Sequence, residues 1–182
     1  MQWTDREFVG HDFRDDDLSR LQTERVLFTE CDFSGVNMAE SEHRGSAFRN
    51  CTFHLTALWH STFRQCSMLG SAFTQCRFRP LTLDDVDFTL AVLAGNDLRG
   101  VDLSGCRLRE TSLVEADLRT TLLRGADLTG ARTTGTRFDE ADLRGAVVDP
   151  SLWTTASLAG ARIDIEQALA YAVAHGLRLD SG

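Results

Sequence analysis

The sequence has no lysine, so all 19 basic residues are arginine, and 182 residues include only two prolines and one tyrosine. No long apolar run occurs. Met1 to Gly10 carries Asp5, Arg6 and Glu7, which argues against a signal peptide or membrane span there and predicts a cytoplasmic protein that does not engage membranes. There is no CxxC, HExxH, GxSxG, P-loop or GxGxxG spacing, so the common carriers of metal, redox, acyl-transfer and nucleotide chemistry are missing. His11, His43, His54, His60 and His175 share no face that would gather them around a metal. Neither a cofactor nor catalysis is expected. Excess positive charge is lacking too: 27 Asp and Glu against 19 Arg give a net charge of −8, which argues against direct nucleic-acid binding and favours a basic partner.

What is present is a period of five. All 11 phenylalanines (Phe8, Phe13, Phe28, Phe33, Phe48, Phe53, Phe63, Phe73, Phe78, Phe88 and Phe138) fall in one of five phases, an outcome of roughly one in ten million by chance. Every fifth position from Phe8 to Ile163 gives 32 central sites, of which 29 are large and apolar; Thr23, His43 and Thr133 are the exceptions. The residue two before the centre is small or β-branched, as at Val26, Cys31, Ala116 and Ala141. Both positions therefore point inward. The residue two after the centre holds 12 of the 14 glycines and both prolines, as corners that need unusual backbone angles would. Eleven acidic residues sit just before a centre and ten arginines just after one, so those positions face solvent. Five matches neither the helical period of 3.6 nor the strand period of 2, and implies a coil of very short strands that must stack to bury its core. Phe28, Phe33, Phe48, Phe53, Phe73, Phe88, Leu118 and Leu128 are assigned to that core. Cys31, Cys51, Cys66, Cys76 and Cys106 all take the small inward position and read as packing, with free thiols expected.

Units such as Ala116-Asp117-Leu118-Arg119-Thr120 and Ala126-Asp127-Leu128-Thr129-Gly130 resemble the A(D/N)LXX unit of the pentapeptide-repeat family. That resemblance implies an all-β solenoid, a right-handed quadrilateral β-helix of four units per coil and about eight coils over residues 1–165. With coils repeating every 20 residues, Thr23 and His43 stack as adjacent inward polar groups, where a looser or hydrated patch is expected.

After Ile163 the pattern changes. Asp164-Ile165-Glu166-Gln167 supplies an N-cap with Gln three residues on, and Gly176 a stop signal. The segment 166–182 is read as a short C-terminal helix and tail. Ile165, Leu169, Tyr171, Ala172, Val173, Leu177 and Leu179 are its candidate homodimer contacts, and a cap over the last coil is the alternative.

The length, the near-perfect register and the C-terminal helix are most similar to the Qnr-like branch of the family, DNA mimics that inhibit DNA gyrase and protect against fluoroquinolones. The resemblance implies a gyrase partner, bound at the DNA-binding saddle of its A subunit or the ATPase region of its B subunit. The projecting loops of some members are missing, which leaves shape and surface charge as the means of recognition. A duplex as long as a dimer would carry roughly 45 charges, against −16 for two chains of −8, so placement must outweigh total charge. The candidate acidic surface comprises Asp97 and Asp117 one coil apart, Asp87 and Asp127 with Arg107 between them, and the group Asp139, Glu140 and Asp142. A structural scaffold with no gyrase partner is the alternative.

Overall fold

The computed structural model describes residues 1–178. Each five-residue unit forms one side of a square, and the backbone pairs in parallel with the unit twenty residues later: Gln2 with Gln22, Phe8 with Phe28, Phe53 with Phe73, Asp142 with Arg162. The result is a right-handed quadrilateral β-helix with a short C-terminal helix. Coils are numbered from the first, residues 1–20, to the eighth, residues 141–160. The four faces are named by their first central residues: Trp3, Phe8, Phe13 and Leu18.

Except at Pro80, Pro150 and Thr155, the corners from Asp5 to Gly160 turn with positive φ, at +50° to +72°. That left-handed region is cheap for glycine and tolerable for Asn and Asp, and it explains why glycine collects there. Between corners the centre points inward. Phe13, Phe33, Phe53 and Phe73 stack face to face at 4.6–5.0 Å, while Phe28 meets Phe33 edge-on at 5.4 Å across the corner. Offset stacking along a face and edge-to-face contact between faces are both favourable aromatic geometries. Phe28, Phe33, Phe48, Phe53, Phe73, Phe88, Leu118 and Leu128 are buried. The five cysteines are buried free thiols; desolvation pushes Cys51 up to about 12, which removes thiolate reactivity.

The stacked Thr23 and His43 pair is tightly packed, and its polar side-chain atoms find hydrogen-bond partners within the protein. His43 lies face to face with Phe63 at 4.5 Å, its Nδ1 is 2.7 Å from Thr23 Oγ1 and its Nε2 2.9 Å from Ser41 Oγ. Ser41 Oγ donates to Ser61 Oγ, which donates to the Met38 carbonyl. That terminal acceptor sets the direction of the chain, so Nε2–H donates to Ser41 and Nδ1 accepts from Thr23. Hydroxyls at small inward positions satisfy the polar centres, Ser46 bonding Thr23 and Ser41 bonding His43, with Ser61 continuing the chain from Ser41.

Two departures from uniform repetition occur. The unit at 151–155 turns into a one-turn helix, α1 (Leu152–Thr155), that keeps Trp153 buried; Pro150 lacks the N–H of a corner, and the Asp149 carboxylate accepts from Gly130 N in place of a backbone carbonyl. The second departure is a gap in the ladder. Among the described residues, no backbone hydrogen bond joins 76–85 to 96–104. Asn96 bridges the start of this gap, its Oδ1 accepting from Cys76 N and its Nδ2 donating to the carbonyls of Phe73 and Leu93.

Candidate functional site

On the Leu18 face, Asp97 and Asp117 stack one coil apart. Both are neutralised. Arg99 Nε and Nη2 donate to Asp97 at 2.9 and 2.7 Å, Arg79 Nη2 donates to it at 2.7 Å, and Arg119 grips Asp117 at 2.8 and 2.7 Å. The hydrogen bond from Arg99 leads in holding the Asp97 carboxyl at about 2. The repeat itself causes this: an Asp just before the centre and an Arg just after it lie side by side on the same outward surface, and two-pronged guanidinium pairing follows.

The Phe8 face carries Asp87, Arg107 and Asp127 in one column. Arg107 lies 3.4 Å from Asp87 and 3.2 Å from Asp85, and Arg109 lies 3.4 Å from Asp127. Burial opposes ionisation of Asp87 and Asp127, but hydrogen bonds from the side chains and backbone of Thr89 and Thr129 outweigh it and hold both carboxyls below their ordinary value. Asp139, Glu140 and Asp142 straddle the edge between the Leu18 and Trp3 faces. Asp142 is buried between Arg124 at 2.6 Å and Arg144 at 2.7 Å, and Asp139 accepts from Ser157 Oγ and Ala159 N. Glu140 is an exposed corner.

The uncompensated charge lies elsewhere. Among the described residues, Asp5, Asp15, Glu30, Glu40, Asp85, Glu110, Glu115 and Glu140 occupy left-handed corners, against only Arg20 and Arg25. Both corner arginines are consumed, by Glu40 and by Asp5 with Glu24. Among the described residues, Asp15, Glu30, Glu110, Glu115 and Glu140 belong to no ion pair. The faces of the prism are nearly balanced, and its edges are acidic. The signal was in the residue numbers, as carboxylates at multiples of five, but the glycines at the same positions masked it.

At the far end, α2 (Ile165–Ala174) starts on a complete capping box: Gln167 N donates to the Asp164 side chain and Asp164 N to Gln167 Oε1. Gln167 Nε2 also donates to the carbonyls of Leu143 and Ala146, so the helix covers part of the last coil's open edge. Ile165, Leu169 and Val173 form an exposed outward stripe, with Ile165 80% exposed, while Ala172 is half-buried. Tyr171 stacks on His175 at 4.1 Å and borders a cavity of about 440 Å³ lined also by Trp153, Leu158 and Ile163. Leu177 is exposed. Leu179 lies outside the described residues. No described residues form a group that could hold a metal, and no described helix is long and apolar enough to cross a membrane.

Comparison with known proteins agrees with this architecture. Sequence profiles for a pentapeptide repeat region and for eight-copy pentapeptide repeats match residues 56–133 and 121–148. The chain is 82% identical over the full length of both chains to the pentapeptide repeat protein MfpA of Mycobacterium tuberculosis. It is 71% identical over 59 residues, 32% of this chain and 31% of that protein, to MfpA of Mycolicibacterium smegmatis. Among solved structures it resembles QnrB1, a plasmid-mediated fluoroquinolone resistance protein, with a TM-score of 0.67, 18% identity and coverage of 97% of this chain and 100% of that one. HetL from a Nostoc cyanobacterium has a TM-score of 0.55 at 20% identity, covering 89% and 86%. The square solenoid, the five-residue register and the full-length identity to one of its members lead to the same conclusion: the chain belongs to the pentapeptide-repeat family.

Proposed function

We propose that this protein is a non-enzymatic inhibitor of DNA gyrase that mimics duplex DNA and so protects against fluoroquinolones. It acts as a homodimer joined through the exposed stripe of α2. The observation that carries the reading is the full-length 82% identity to MfpA. The surface adds a physical rationale, because a straight rod whose edges carry unpaired carboxylates presents rails of negative charge to a DNA-binding surface.

Asp87, Asp97, Asp117, Asp127, Asp139, Glu140 and Asp142 remain the proposed acidic surface, with a division of labour. Glu140 is free to meet a cation, whereas Asp97, Asp117 and Asp142 must share their arginines, so their contribution is to order the face. The partner site we propose is a basic surface of gyrase, either the DNA-binding saddle of its A subunit or the ATPase region of its B subunit. A supercoiling assay on relaxed plasmid tests the reading. Added protein should block supercoiling, more weakly as salt rises, since exposed charges are screened within about 8 Å at physiological ionic strength. Undiminished supercoiling at saturating protein would refute inhibition and leave a structural scaffold.

A further inference from the structure

The Phe13 face differs from the other three. Between Asp32 in the second coil and Arg132 in the seventh, its outward positions carry neither a carboxylate nor an arginine; they are Thr, Ala, Val, Ser and His54. Val92 is 38% exposed at its centre. In a chain with 25% charged residues, four consecutive uncharged units on one face make a patch that the repeat does not require, because the same positions on the Leu18 face carry Arg77, Arg79, Asp97, Arg99, Asp117 and Arg119.

The corners flanking this face sharpen the contrast. Among the described non-glycine residues with positive φ, Leu55 at +55° and Leu90 at +61° are the only apolar ones. Both border this face, one on each edge, and both are exposed, at 57% and 51%. A leucine held left-handed at a corner where more than half of it stays exposed costs conformational energy for little burial, where Gly, Asn or Asp would be cheaper. Strain kept for so small a packing return points to use. The same two edges are also purely acidic. Glu30 and Glu110 lie on one and Asp15 and Glu115 on the other, while both corner arginines lie on the remaining edges.

We propose that the Phe13 face between the third and sixth coils is the surface that seats the partner. Its occupant is a protein surface with an apolar projection that lies on Val92 between Leu55 and Leu90, flanked by arginines or lysines that reach Glu110 and Glu115. The complementarity of charge commits the assignment: a second copy of this chain would set carboxylate rails against carboxylate rails. The inference rests on the gyrase reading and names the face through which it acts.

The test uses the full-length protein with purified gyrase, reading half-inhibitory concentration in supercoiling and binding by interferometry. Leu55→Asn with Leu90→Asn suits the left-handed corners, as Asn50 does at φ +51°, so this double variant should melt above the parent. It should nevertheless need about tenfold more protein to inhibit, as loss of central apolar anchors does. Glu110→Gln with Glu115→Gln should slow association and flatten its salt dependence. Asp5→Asn with Asp85→Asn, an equal charge change on another edge, should stay within about twofold of the parent. If the parent inhibits and the leucine double variant inhibits equally, the face assignment is overturned and the gyrase reading stands. If the parent itself does not inhibit, both fall. If light scattering shows parent assemblies larger than a dimer that the leucine variant dissolves, the occupant is a second copy and the proposal is wrong.

Discussion

Acidification should destabilise this protein well above the pH at which its carboxylates titrate, through one residue. His43 is buried within the solenoid, and desolvation lowers it from 6.5 to about 3. A group whose folded pKa is depressed in this way is neutral in the native state, while the unfolded chain takes up a proton below 6.5. The contribution of His43 to stability is therefore intact above pH 6.5, declines as pH falls and is fully lost near pH 3. At about 1.36 kcal/mol per pH unit, lowering the pH from 7.5 to 5.0 crosses 1.5 units of the window and removes about 2 kcal/mol. That is a substantial part of the 5–15 kcal/mol typical of a domain. The carboxylates with lowered values, such as Asp12 and Asp97 at about 2, lose their contribution only below their ordinary 3.8, outside this interval. The matched variant is His43→Phe, which keeps a ring over Phe63 while Thr23 retains Ser46 and Ser41 retains Ser61 as partners. Urea unfolding followed by circular dichroism at pH 7.5 and 5.0 should show the loss in the parent and not in the variant. Equal losses in both proteins, or none in the parent, would refute the argument that a buried neutral imidazole governs this range.

Asn96→Ala should cost about 2 to 4 kcal/mol, because it leaves Cys76 N and the Phe73 carbonyl without partners where the backbone ladder is already broken; amide hydrogen exchange should rise first around 76–85, and uniform exchange along the rod would show that the gap is not a weak point. Leu169→Arg should yield folded monomers by light scattering, because the coils do not depend on the exposed stripe of α2; a folded dimer would place the interface elsewhere, and unfolding would make that stripe part of the cap.

Most of this fold is legible in one number. Once Phe8 through Phe138 share a phase modulo five, every centre, small inward residue and corner is assigned, because a stacked coil repeats its environment each unit and has no independent packing choices to make. The capping box at Asp164 and Gln167 was equally readable, since it depends on residues three apart. What the period could not convey is which outward side chains meet. Asp97 and Asp117 look like an acidic column when only same-phase residues are compared, but Arg79, Arg99 and Arg119 arrive from neighbouring phases and coils, and guanidiniums at 2.7 to 2.9 Å cancel the charge. Likewise, Thr23 and His43 looked like a polar flaw until Ser41, Ser46 and Ser61, two or three residues away along the chain or one coil over, closed their hydrogen bonds. The ladder gap after the fourth coil and the helical turn at Leu152 are likewise tertiary outcomes, because backbone pairing depends on the conformation of both coils. Local pattern determined what points inward, and the stacking of coils decided which surface charges survive to meet a partner.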